Sequence, residues 1–172
     1  TLEGKKIVGW NVRFNQELRE VEYEKDNGSF KSIEFDDVFS VRDSVGKETV
    51  IYKLDSARGA YICADEMKCY LEGVAAARED YGAVLATTFG VAVGVGTVPL
   101  VMTEGSHLNL FVSPIVPVLY SAVVALTKPN FAKIKESYPE WSNNEQFVNG
   151  YYTEAKRKRL RNAILSSFSA LI

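Results

Sequence analysis

The sequence predicts an α+β chain. A small antiparallel β meander or barrel comes first, then a hydrophobic, membrane-inserted helical hairpin, then a basic amphipathic helix at the C-terminal end. Three observations carry that prediction. Residues 1–60 hold short segments in which apolar and polar residues alternate, separated by turn residues. From Tyr81 to Thr127 the only charged residue is Glu104, whereas about a quarter of an ordinary domain is charged. Finally, Lys156-Arg157-Lys158-Arg159 and Arg161 stand inside a segment of helix formers.

The strands are read from period-two alternation. In KIVGWNVRF the residues Val8, Trp10, Val12 and Phe14 keep one phase, and in REVEYEK Val21 and Tyr23 alternate with glutamates. Asp26-Asn27-Gly28 is a hairpin signal, because Asn and Gly tolerate the positive φ of tight turns. FKSIEF, VFSV and, after a Gly46 turn, TVIYKL complete five strands. Trp10, Val12, Tyr23, Phe35 and Val41 are the expected core of this unit, residues 1–60, with 56–62 as a linker.

Residues 64–172 are the expected helical domain. ADEMKCYLEGVAAARED opens it near Ala64, with Asp65 and Glu66 in the first turn, where negative charge suits the helix dipole, and runs without punctuation into the apolar stretch. Tyr81–Thr103 and Gly105–Thr127 each hold 23 uncharged residues, His107 being neutral. About 20 helical residues cross a hydrocarbon core of roughly 30 Å. The hairpin therefore covers 81–127, with Glu104-Gly105-Ser106-His107 as its turn. Gly90, Gly94, Gly96, Pro99, Pro114 and Pro117 fit lipid better than water, where glycine and proline cost helices more. Lys128-Pro129-Asn130 ends it, 130–143 reads as a polar loop, and a last helix over about 143–172 is capped by Ser142–Asn144.

Helix packing is assigned to Gly73, Gly90, Gly94 and Gly150. Gly90 and Gly94 form a GxxxG, which lets helix backbones approach closely. Tyr70-Leu71-Glu72-Gly73 and Phe147-Val148-Asn149-Gly150 echo each other, so Gly73 and Gly150 are expected on touching helices. Lys156, Arg157, Lys158, Arg159 and Arg161 are spread nearly all the way round a helix, as a belt at lipid headgroups requires.

Chemistry is sparse. With a net charge of −2 there is no overall electrostatic case for nucleic acid. The single histidine, His107, beside Ser106, lacks a nucleophile–base–orienter trio. Cys63 and Cys69 are too few for a disulfide framework or a metal site, and read as two thiols or one local bridge. Asp36-Asp37 would point to opposite faces of a strand, Glu79-Asp80 marks the start of the apolar stretch, and Gly94-Val95-Gly96 follows no strand as a phosphate cradle would. No catalytic, cofactor-binding or metal-ligating residues are assigned, and the chain is expected to be no enzyme, to bind no small-molecule substrate and to need no cofactor.

Gly4 to Gly9, Tyr23, Ile33, Asp37-Val38-Phe39-Ser40-Val41, Gly46-Lys47, Tyr70 to Gly73, Pro99, Pro114, Gly150-Tyr151 and Ala155-Lys156 follow one layout. It resembles exported envelope proteins of Bacteroidota-type bacteria, with a short β domain before a Gly/Pro-rich hydrophobic hairpin. That resemblance implies a signal peptide removed upstream and an envelope location, and no activity. Thr1 at the start agrees with export. Lys68, Arg78, Lys128, Lys133 and the 156–161 run flank a hairpin turn without cations, which for an inner-membrane hairpin would put those flanks in the cytoplasm. Export instead places the β domain in the periplasm, and the hairpin enters from the periplasmic face in association with the outer membrane. The expected role is an accessory or structural subunit of an envelope membrane complex, its partners being lipid bilayer and other envelope membrane proteins. A lipid-handling protein with a reversibly inserting hairpin and a soluble binding protein with an apolar helical core are the alternatives.

Overall fold

A computed structural model describes residues 1–58, 60–84, 87–93, 95, 115–127 and 132–169. The fold is mixed α+β, with a small antiparallel sheet followed by helices. Two compact units divide the chain, Thr1–Glu72 and Gly73–Ile172.

In the first unit β1 (Trp10–Asn15), β2 (Glu20–Glu24) and β3 (Phe30–Glu34) form a three-stranded sheet in sequence order. β4 (Ser40–Arg42) and β5 (Glu48–Val50) form a separate two-stranded ribbon. The expected single meander or barrel is therefore corrected to two small sheets. The turns do what their residues suggest. Gly28, at φ 77°, closes the β2–β3 hairpin, its N–H donating to the Lys25 carbonyl at 2.8 Å. Gly46, at φ 90°, closes the β4–β5 ribbon. There the Ser40 hydroxyl donates to Glu48 at 2.6 Å and holds that carboxyl below its ordinary pKa.

The β1 pairing explains a misplaced core residue. Phe14 lies opposite Val21 and Arg13 opposite Glu22, but Trp10 lies opposite Glu24, so the register slips by one residue. Asn11, at φ 48°, is the extra residue, as in a β-bulge. One inserted residue reverses the face of everything beyond it. Trp10 is 62% exposed, on an edge strand exposed from Trp10 through Phe14, and its indole N–H donates to Asp26 at 2.8 Å. The expectation that Trp10 is core is wrong. Val12 is exposed too, while Phe35 and Val41 are half-buried and Tyr23 is buried. Phe35 is not in a strand but opens a 3-10 turn, Phe35–Asp37, where Asp36 meets Arg19 at 3.1 Å. The core is small: Val21, Tyr23, Val38, Phe39 and Tyr52, with the Phe39 and Tyr52 rings 5.9 Å apart.

α1 (Ala64–Asp80) starts where the Cys63 N–H donates to the Glu66 carboxylate at 3.0 Å, the backward half of a capping box. Cys63 and Cys69 are free thiols. α1 does not run on into the apolar stretch as expected. It stops at Asp80, Tyr81-Gly82-Ala83 is not helical, and helical backbone resumes at Val84 and is described again over 87–93. Next among the described residues come α2 (Ile115–Leu126), α3 (Ala132–Ser137) and α4 (Glu145–Ser169). α3 lies where a polar loop was expected, because Ile134 is fully buried and anchors one helical turn. α4 begins as the sequence suggests: the Asn144 side chain accepts from the Phe147 N–H at 3.0 Å. Glu104–His107, Gly94, Gly96, Pro99, Pro114 and Lys128-Pro129-Asn130 lie outside the described residues.

Candidate functional site

α4 is the spine of the second unit, and its burial repeats every four residues. Phe147, Tyr151, Ala155, Ala163 and Ser167 are all 2% exposed or less, and Arg159, completing the series, is half-buried. Four residues turn a helix by 400°, so such a stripe drifts about 40° per step and about 200° from Phe147 to Ser167. α4 therefore buries one side at its start and nearly the opposite side at its end.

The first half packs like a water-soluble core. Phe147, Tyr151 and Ala155 meet Ala76, Ala77 and Ile134, with Tyr138 and Trp141 against them. Trp141 stacks on Phe147 at 5.4 Å. Gly73 permits the approach: a Cβ there would overlap the Phe147 carbonyl oxygen and lie 2.9 Å from the Tyr151 nitrogen. Gly150 is buried on α4; the backbone that Gly73 meets belongs to Phe147 and Tyr151.

The second half is sorted the other way. A Cβ at Gly90 would overlap the Ser166 hydroxyl and lie 3.3 Å from the Ala163 carbonyl. The buried residues here are small or polar: Gly90, Ala83, Ala163, Ser121, Ser166 and Ser167, with Val124 the one larger aliphatic among this half's buried described residues and Tyr81 and Tyr120 partly buried against them. The larger apolar side chains point outward. On α2 Val118, Leu119, Val123 and Leu126 are exposed, Leu119 by 60% and Leu126 by 85%; Phe89 and Val91, and on α4 Ile164 and Leu165, are exposed too. The α2 positions fall at i, i+1, i+5 and i+8, one helical face. Ordinary domains bury such a face; large exposed apolar patches mark contact with protein or membrane.

Between the halves the basic run does two jobs. Lys158 Nζ donates to the Arg78 and Tyr81 carbonyls at 2.6 and 3.1 Å, at the end of α1. Arg159 donates to the Thr127 carbonyl at 3.2 Å and to its hydroxyl at 2.6 Å, at the end of α2. Lys133 Nζ donates to the Asp80 carbonyl. Helix C-termini leave carbonyls without partners and carry partial negative charge, so these cations satisfy both needs. The five basic residues expected as one belt are thus not equivalent: Lys158 and Arg159 turn inward, and Lys156, Arg157 and Arg161 are exposed. Arg78 pairs with Glu154 at 3.1 Å in a largely buried contact, and Arg157 lies 3.7 Å from the same carboxylate. Sequence reasoning missed these roles; cations twenty or more residues beyond a helix end carry no local signal.

Asp80 accepts from the Tyr138 hydroxyl at 2.8 Å. Burial first, then that hydrogen bond and the carboxylate charge, push Tyr138 up to about 12. Burial also raises Tyr151, whose hydroxyl is enclosed without a hydrogen-bond partner. Both phenols are neutral at ordinary pH, and the cluster ties α1, α3 and α4 together. Among the described residues no group of three or more His, Cys, Asp or Glu could hold a metal ion. His107 lies outside them.

In the β unit an open groove of about 720 Å³ is walled by the apolar Ile7, Val8, Val12 and Ile33 and by the polar Ser40, Arg42 and Glu48, the last three joined by hydrogen bonds. Comparison with known protein families, with curated proteins and with solved structures finds no match.

Proposed function

We propose that the chain is a non-enzymatic, membrane-anchored subunit of a bacterial envelope complex. The inverted end of its helical unit, together with the rest of 81–127, sits in hydrocarbon, and its β unit meets partner proteins in the periplasm, on the side of the outer membrane. One observation supports this above the others: small and polar residues are inside and large apolar ones outside on α2, on 87–93 and on the last turns of α4. In water each exposed leucine or phenylalanine forgoes roughly 1.5–3 kcal/mol of burial; in lipid it forgoes nothing. The lack of charge over 81–127 apart from Glu104 and the resemblance to exported envelope proteins support the same reading. Among the described residues no helix is long and apolar enough to cross a membrane. α2, at about 1.5 Å per residue, reaches about 18 Å, short of the roughly 30 Å hydrocarbon core and suited to a hairpin that dips into it.

Leu119→Arg tests the reading. At an exposed position in water it should change unfolding stability by less than about 0.5 kcal/mol. In hydrocarbon it should weaken insertion by about 2.5–3.5 kcal/mol, roughly a hundredfold. Vesicle flotation of both proteins reads the difference. A wild-type chain that is monomeric and stays soluble after carbonate washing would overturn the anchor.

A further inference from the structure

The outward side of α4 carries a sequence of its own. At 100° per residue, Arg157, Arg161, Ile164 and Leu165 lie within about 100° of one another, on one face. All four are exposed. Charge therefore gives way to bare apolar surface between Arg161 and Leu165, over about 6 Å of helix axis. The headgroup layer on each side of a bilayer is about 5–8 Å thick, so the step in the helix matches the step in the membrane. The cations that remain on this face are those left over from helix capping, since Lys158 and Arg159 are engaged on the ends of α1 and α2. Lys156, also exposed, lies about 100° round the helix from Arg157, off this face.

Resting on the membrane reading above, we infer that Arg157 and Arg161 form a docking face for the anionic headgroups of a phospholipid leaflet, with Ile164 and Leu165 seated just beneath in the acyl region. The lipid class follows from charge complementarity. Arginine presents a planar fork of donors that matches phosphate oxygens in two-point contact. Arg157, over half exposed, lies 3.7 Å from a Glu154 carboxylate already paired with Arg78, so these three groups keep a net positive charge. Arg161 stands next to apolar surface that cannot neutralise it. A zwitterionic surface would satisfy the apolar residues equally well and the arginines less.

Flotation of the purified full chain on two kinds of vesicle tests this, one of phosphatidylcholine alone and one with a quarter of phosphatidylglycerol. Binding should be tighter on the anionic vesicles and should weaken with salt. The double substitution Arg157→Gln with Arg161→Gln should lower affinity for anionic vesicles about 30-fold, about fivefold per cation, and leave binding to phosphatidylcholine unchanged. Arg157→Lys with Arg161→Lys should retain most of the preference, which separates lost charge from lost structure. Equal binding of the wild type to both vesicles, or no loss in the glutamine variant, overturns the headgroup site and leaves the anchor standing. Failure to bind either vesicle overturns both.

Discussion

The two ends of α4 solve opposite problems with one helix. At the start, Phe147 and Tyr151 are inside and the helix is wet on its outer side. Toward the end, Ala163 and Ser167 are inside while Ile164 and Leu165 are outside. Backbone hydrogen bonds are the same at both ends, so the difference lies in what each end expects to touch. An aromatic interior gains from removing apolar area from water. An interior rich in alanine, serine and glycine gains less that way and gains from close backbone approach instead, as the proposed hydrocarbon surroundings would favour.

The sharpest way to break this comparison is to truncate one large side chain at each end. Phe147→Ala should cost about 3–5 kcal/mol of unfolding stability, whereas Leu165→Ala should cost less than about 0.5 kcal/mol in water; denaturant titration of both measures the contrast, and equal losses would show that the second end is an ordinary core. Next in size, Gly73→Ala should destabilise by about 1–3 kcal/mol through overpacking against the Phe147 carbonyl, despite alanine's better helix propensity. A stabilised variant would mean that the close approach relaxes without cost. Comparable in size is the hydrogen bond at Asp80. Tyr138→Phe should cost about 1.5–3 kcal/mol at neutral pH. Because the folded-state pKa of Tyr138 lies above its unfolded value of about 10, its contribution is complete below pH 10 and is lost as pH rises towards 12. Wild-type stability should fall faster than that of the phenylalanine variant over that window. Among the β-unit and aromatic changes the least effect belongs to Trp10→Ala, below about 1 kcal/mol, since its ring is mostly in water.

Local signals in the sequence located the elements well and their faces less well. The Asn27-Gly28 turn, the start of the first helix near Ala64 and the Asn144 cap were legible, because each is set by residues within four positions of one another. The Trp10 face was not legible. Val8, Trp10, Val12 and Phe14 alternate without a break in the sequence, and the bulge that reverses Trp10 is made by Asn11 in a left-handed conformation. α3 was missed because a single buried residue, Ile134, decides it. The uncharged stretch was obvious, yet its inward and outward sides were not. Nor was the division of the basic run, which depends on where two remote helices end. Nothing in the spacing of Lys158 or Arg159 announces a carbonyl at Arg78 or Thr127.

The four-residue drift along α4 has a consequence for how this chain can change length. Inserting one residue near Leu160 would rotate everything beyond it by about 100° relative to everything before it. Ala163 and Ser166 would leave the seam at Gly90, and the second half would have to renegotiate every neighbour at once. An insertion of eleven residues, by contrast, is three full turns within about 20° and would restore the angular phase while shifting the end by about 16 Å. The distance between Tyr151 and Ala163 is therefore quantised: insertions and deletions there are admissible only in steps that keep both seams facing their partners. The exposed turns of the β unit, closed at Gly28 and Gly46, carry no such constraint.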